Sequence, residues 1–147
     1  MKKNILNKVA GLILIVFFWG MPLHSSGNNP ETGIDFHQGT WQQVLEQAKK
    51  EDKMVFLDLF ASWCGPCKVL KSKTFPDTAV GQFYNTNFIN YTVDAEKGIG
   101  VKLAEKYNIS GYPTLLFIDG NGNLVAKTMG YHTPEQLIDV GKQVVAR

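Results

Sequence analysis

The sequence predicts an α/β fold with a central mixed β-sheet flanked by helices on both faces, and three observations lead there. The run Met54–Ala61 (M-V-F-L-D-L-F-A) is too continuously apolar for a half-exposed strand, so it reads as the middle of a sheet covered on both sides. Strand-like and helix-like segments alternate around it. Asp119-Gly120-Asn121-Gly122-Asn123 separates two apolar runs and reads as a hairpin turn, which makes one strand pair antiparallel.

In chain order, Gly33–Phe36 is a short strand candidate. Thr40 followed by Gln43 is a capping box, and Trp41, Val44, Leu45 and Ala48 recur at helical spacing, so a helix runs from there into the charged stretch Lys49–Lys53. After the strand Met54–Ala61, a helix continues from Lys68 to about Lys73, until Phe75-Pro76-Asp77 breaks or kinks it. A short helix is expected from Asp77 to about Tyr84, a strand over Phe88–Val93, and a helix over Lys97–Tyr107 with Val101, Leu103, Ala104 and Tyr107 on its pattern. Leu115–Ile118 and Leu124–Met129 are the hairpin strands. Thr133-Pro134-Glu135-Gln136 combines a capping threonine, a first-turn proline and a glutamine three residues on, and so starts the last helix. Phe56, Phe60, Phe75, Phe88 and Phe117 are the expected aromatic core. No second domain or internal repeat is visible.

The 147 residues suit one domain, expected over 33–147, and 44% hydrophobic content is ordinary for a globular chain. Before it, Lys2, Lys3 and Lys8 lead into the apolar run Val9–Met21 and then a small-residue polar stretch around Ser25 and Gly27. That pattern reads as a signal peptide over 1–27, with an uncleaved anchor as the alternative; the apolar run is shorter than the ~20 residues of a membrane crossing. The three leader lysines exceed the formal net charge of +2, which leaves the rest of the chain near −1. The remainder is close to neutral and offers no basic surface for nucleic acid.

Cys64 and Cys67 are the only cysteines, and they sit in W-C-G-P-C-K where the strand pattern gives way to a helical one. A disulfide across two intervening residues removes little unfolded-chain entropy, so a purely structural role is weak. At a helix N-terminus, unpaired backbone N–H groups and the dipole favour a thiolate, which makes Cys64 the expected nucleophile toward a substrate disulfide. Cys67, further into the helix and expected to be more buried, would resolve the mixed disulfide. Gly65-Pro66 keeps the turn tight, and Pro66 lacks an N–H where no acceptor exists. Asp58 is the one charge in the apolar strand, on the opposite face from Leu57 and Leu59. It either accepts the proton of Cys67 or lies at a sheet edge or beside a lysine; both readings stay open. A closed zinc site needs about four ligands, and besides the cysteines the chain after the leader has only His37 and His132, far apart in sequence. No metal or other cofactor is expected.

From Gly33 to Arg147 the chain resembles the thioredoxin family, on the block D-L-F-A-S-W-C-G-P-C-K (Asp58–Lys68) and the loop Gly111-Tyr112-Pro113-Thr114. The resemblance implies a nucleophilic Cys64, a resolving Cys67, a buried carboxylate at Asp58 and a cis-proline at Pro113 beside the thiols. It also implies a flat docking surface of Trp63, the Gly65-Pro66 turn, Tyr112 and Gly130-Tyr131 for an extended substrate strand. Two positions depart from the pattern. Asn90 stands where most members carry a lysine near the aspartate, and Ser72 where they carry a helix-kinking proline. The stretch Lys73–Asp77 with Val80, Phe83 and Asn85 is closer to exported members, including the reducing C-terminal domain of transmembrane electron-transfer proteins.

Cys-x-x-Cys couples span about −270 to −120 mV, a gap of about 7 kcal/mol set by how far the reduced thiolate is stabilised. Neither Gly65 nor Pro66 offers a side-chain donor or cation to the thiolate, which favours a reductant over a thiol oxidase or isomerase; a non-catalytic binding module is the remaining alternative. The expectation is a monomer in the periplasm, or anchored to the inner membrane facing it. It would act on exported proteins bearing disulfides and draw electrons from a membrane-borne donor.

Overall fold

The computed structural model describes residues 32–147. The leader over 1–27 lies outside the described residues. The apolar run forms strand β1 (Met54–Phe60), in the middle of a four-stranded sheet of order β2-β1-β3-β4, where β2 is Phe88–Asp94, β3 Thr114–Ile118 and β4 Leu124–Met129. β1 runs parallel to β2 and antiparallel to β3, and β3 to β4, so the sheet is mixed as expected.

Alternation along β1 divides the interior in two. Val55, Leu57 and Leu59 face a cluster with Val44 and Ala48 of helix α1 (Trp41–Glu51) and Leu103 of a helix over Ile99–Lys106. Phe56 faces the other way, into an aromatic group with Phe75, Tyr84, Phe88 and Phe117 that the last helix closes with Leu137 and Val144. Phe56 and Tyr84 meet edge-on at 4.7 Å, and the Tyr84 hydroxyl donates to the Leu137 carbonyl at 2.8 Å. Phe60, expected in this core, instead packs only partly buried beside the cysteines.

Helix boundaries follow the capping chemistry. Thr40 and Gln43 form the α1 capping box, and Thr133 and Gln136 that of the last helix, Pro134–Val145. α2 is Gly65–Val69, capped by Cys64, and it runs on as a π turn over Leu70–Thr74. No local pattern announces that turn. The Phe75 N–H reaches back five residues to the Leu70 carbonyl at 2.9 Å, so the turn carries one residue more than an α turn, with Ser72 inside it. α3 (Thr78–Asn87) starts after Asp77, whose carboxylate accepts from the Ala79 and Val80 N–H groups; α4 is Ile99–Lys106 and α5 Pro134–Val145.

Gly33–Phe36 is not a strand. Phe36 makes a single bridge to Asn90, and the segment is otherwise tied down at points: the Ile34 N–H to the Phe75 carbonyl, and Asn85 bonded to both Gly33 and Asp35. An asparagine side chain supplies the pairing that a ladder would. Among the described residues no helix is long and apolar enough to cross a membrane.

Candidate active site

β1 ends at Phe60, the chain turns through Ala61 and Ser62, and the Cys64 N–H closes the turn on the Ala61 carbonyl at 3.1 Å. Cys64 is the N-cap of α2, and its sulfur accepts from the Cys67 N–H at 3.2 Å. A cap sulfur held by an unpaired helix N–H is where negative charge on Sγ is best tolerated. Cys64 and Cys67 are joined by a disulfide. In this oxidised state both are 2% exposed, so the expected contrast between an open Cys64 and a buried Cys67 is absent. The pair sits in a small apolar cluster with Ala61, against Phe60 and Tyr112, while Gly65 and Pro66 are exposed.

The loop before β3 reaches this cluster. The Tyr112–Pro113 bond is cis and Pro113 is buried. The Pro113 carbonyl accepts from the Gly130 N–H at 2.9 Å, with Gly130 at φ 93°, a region open to glycine and costly for other residues. Trp63 is 67% exposed, stands edge-on to Tyr112 at 5.9 Å, and donates its indole N–H to the Glu96 carboxylate, 3.1 Å from each oxygen. Tyr131 and Met129 are exposed on either side of Gly130. Cys64, Cys67, Trp63, Tyr112, Pro113, Gly130 and Tyr131 thus fall at one end of the sheet, while Asp58 lies behind them in β1.

Asp58 is 1% exposed and central in the sheet, opposite Thr92 of β2 and Leu115 of β3, which removes the sheet-edge reading. Its Oδ2 accepts from the Thr92 hydroxyl at 2.8 Å, and its Oδ1 has no partner. Burial pushes its carboxyl up to about 6, against the Thr92 hydrogen bond and the positive charge of Lys71, both of which favour the ionised form. Asn90 is spent elsewhere: its amide donates to Asn85 and to the Asp35 carbonyl.

Three contributors escape the sequence reading. Thr92 is two residues past Asn90, on the same face of β2, and strand alternation could have found it. Lys71 is four residues past Cys67, one helical turn along the same side. Glu96 carries no signal, because its contact with Trp63 spans a loop whose path depends on the fold. Behind the loop, Thr74 of the π turn donates to the His132 carbonyl at 2.7 Å, and the His132 ring bonds Thr128 and the Gly130 carbonyl, so the thiol helix and the Gly130 loop are buttressed together.

A family model described as a thioredoxin-like domain matches residues 41–145. Over 100 residues the chain is 38% identical to the thiol:disulfide interchange protein DsbD of Yersinia pestis, covering 66% of this chain and 16% of that protein. The chain therefore spans about a sixth of the length of such curated relatives. A solution structure of a candidate disulphide-isomerase from Bacteroides thetaiotaomicron superposes with a TM-score of 0.67 at 43% identity, covering 78% of this chain and 94% of that one. The reduced C-terminal domain of Neisseria meningitidis DsbD gives a TM-score of 0.58 at 26% identity, covering 69% and 91%.

Proposed function

The chain belongs to the thioredoxin-like domain family, and from that premise we propose that it is a thiol-disulfide oxidoreductase of the cell envelope that reduces disulfides in exported proteins. The observation that carries this is a Cys64–Cys67 couple capping α2, set against the cis-Pro113 loop and rimmed by exposed Trp63 and Tyr131. Similarity to DsbD and the basic-then-apolar leader support the envelope.

In the reduced protein, the Cys64 thiolate attacks one sulfur of the substrate disulfide, forming a mixed disulfide and releasing the other substrate sulfur as a thiolate. Asp58 takes the Cys67 proton. The Cys67 thiolate then attacks Cys64 Sγ, the Cys64–substrate bond breaks, and the second substrate sulfur leaves. Two electrons pass from the protein dithiol to the substrate disulfide, and the protein ends in the disulfide state described above. An extended substrate strand docks over Trp63, Gly65-Pro66, Tyr112, Gly130 and Tyr131. Every group in the cycle comes from one chain, so a monomer suffices. A membrane-borne dithiol donor restores the thiols, in line with the similarity to DsbD.

The test is the Cys64–Cys67 potential in a defined thiol buffer together with reduction of a model protein disulfide. A potential near −270 mV with turnover supports the reductant; one above about −180 mV overturns it. The name of the Bacteroides structure favours a second reading, disulfide isomerisation. Recovery of a scrambled protein without net loss of its disulfides would select that reading. Cys67→Ala, which cannot resolve the mixed disulfide, would trap the clients on Cys64.

A further inference from the structure

We propose that Lys71 is the counter-charge that holds Asp58 ionised for the resolution step, a positioning role carried by the thiol-bearing helix instead of by β2. This rests on the dithiol cycle proposed above. The Lys71 ammonium sits over the Phe60 ring, 2.8 Å from its centroid. Phe60 and Asp58 are two apart on one strand face, about 6.6 Å along the chain, so the Lys71 ammonium lies on the face of β1 that carries the carboxylate. The ion pairs among the described residues are Lys53–Glu51 and Lys97–Asp94, which leaves Lys71 to act at longer range.

Lys71 also lines, with Thr92, Phe36 and Phe75, a cavity of about 390 Å³ that opens to solvent. Thr92 is the residue whose hydroxyl holds Asp58 Oδ2, so the polar side chain bonded to the buried carboxylate shares a water-accessible space with the lysine. The other titratable neighbours are few. Asp94 at the end of β2 also attracts Lys71, and β3 presents apolar Leu115 opposite Asp58. Burial lowers the Lys71 ammonium while Asp58 and Asp94 raise it, the mutual attraction that the placement implies.

A carboxylate that must accept the Cys67 proton has to be ionised first. The cation lowers the pH at which that happens, and its position next to α2 ties the charge to the helix that carries the thiols. Asn90, bonded to Asn85 and Asp35, takes no part.

The experiment uses the full chain in two arms. Carboxyl NMR of the oxidised protein follows Asp58 directly: the wild-type midpoint is expected at about 6, that of Lys71→Met about 1 higher, and Lys71→Arg to restore it. Stopped-flow resolution of a mixed disulfide on Cys64 is expected to show the same displacement, with the rate at pH 6.5 falling about threefold in Lys71→Met as the ionised fraction drops. Introducing Asp58→Asn should abolish the rate difference between the wild-type and Lys71→Met backgrounds. A purely structural lysine would lower Tm and leave both midpoints in place. An unmoved NMR midpoint, or a failure of arginine to restore it, overturns the pairing. A moved NMR midpoint with an unmoved kinetic one overturns the role in resolution. A wild-type protein that fails to turn over any disulfide defeats the proposed function, and the NMR arm then still decides the pairing.

Discussion

The two faces of β1 are made by alternate residues of one seven-residue strand, yet they are built for different ends. Val55, Leu57 and Leu59 lie in an apolar cluster with residues of α1, α4, β2 and β3. Phe56, Asp58 and Phe60 lead from an aromatic core, through a buried carboxylate with an orphaned oxygen, to the thiol cluster. On the second face a titrating group occupies a position that apolar side chains fill on the first. A fully buried acid with one oxygen unsatisfied is a cost that apolar packing across the sheet has to offset.

The largest effect should come at the thiol end. Cys64→Ser is expected to lower disulfide turnover by roughly a thousandfold or more while leaving the thermal transition of the reduced protein nearly unchanged. Comparable losses in both would erase the distinction between the two faces. On the apolar face, Leu57→Ala should cost about 2–5 kcal/mol in denaturant unfolding and leave the pH dependence of resolution where it was. A displaced pH profile in that variant would mean that the faces are coupled through the strand.

Asp58→Asn sharpens the contrast from the other side. Because the folded carboxyl is raised to about 6 from an ordinary value of 3.8, the folded state binds more protons than the unfolded one between those values. Stability therefore falls as pH rises through that window. The asparagine variant should escape the loss and be more stable than wild type by about 2–3 kcal/mol at pH 8, with the gain fading towards pH 4. It should also resolve mixed disulfides more slowly at pH 8. Equal stability at both pH values would show that burial does not raise the Asp58 carboxyl. The smallest effect belongs to the rim: Trp63→Ala should raise KM for a peptide disulfide by about fivefold, roughly 1 kcal/mol of docking contact, with little change in stability. An unchanged KM would remove Trp63 from the docking surface.

Much of this is legible because it is local. The β1 run, the Thr40–Gln43 and Thr133–Gln136 capping boxes, the Asp119–Asn123 turn and the spacing of Cys64 and Cys67 are written in neighbouring residues, and each forms the element expected. Where contacts span the chain, the pattern misleads or stops short. Gly33–Phe36 has the composition of a strand, but the free edge of β2 accepts it only at Asn90. The π turn depends on how Leu70 and Thr74 find the core, which no local pattern states. Phe60 is aromatic like its neighbours, yet it sits under a lysine at the site because the strand ends there.

Hydrogen-bonding period and capping act over a few residues, so the alternation of strands and helices, the cysteine pair at a helix start, and the placing of Asp58 on the opposite face from Leu57 and Leu59 are all read from neighbouring residues. Long-range contacts bring the Thr92 hydroxyl to that carboxylate and the charge of Lys71 near enough to act on it, leave Asn90 bonded elsewhere, and join Glu96 to Trp63. Such partners are set by strand register, by an extra residue in a helical turn and by loop path, and a carboxylate's charge state is fixed by whatever those long-range choices bring within a few ångströms of it.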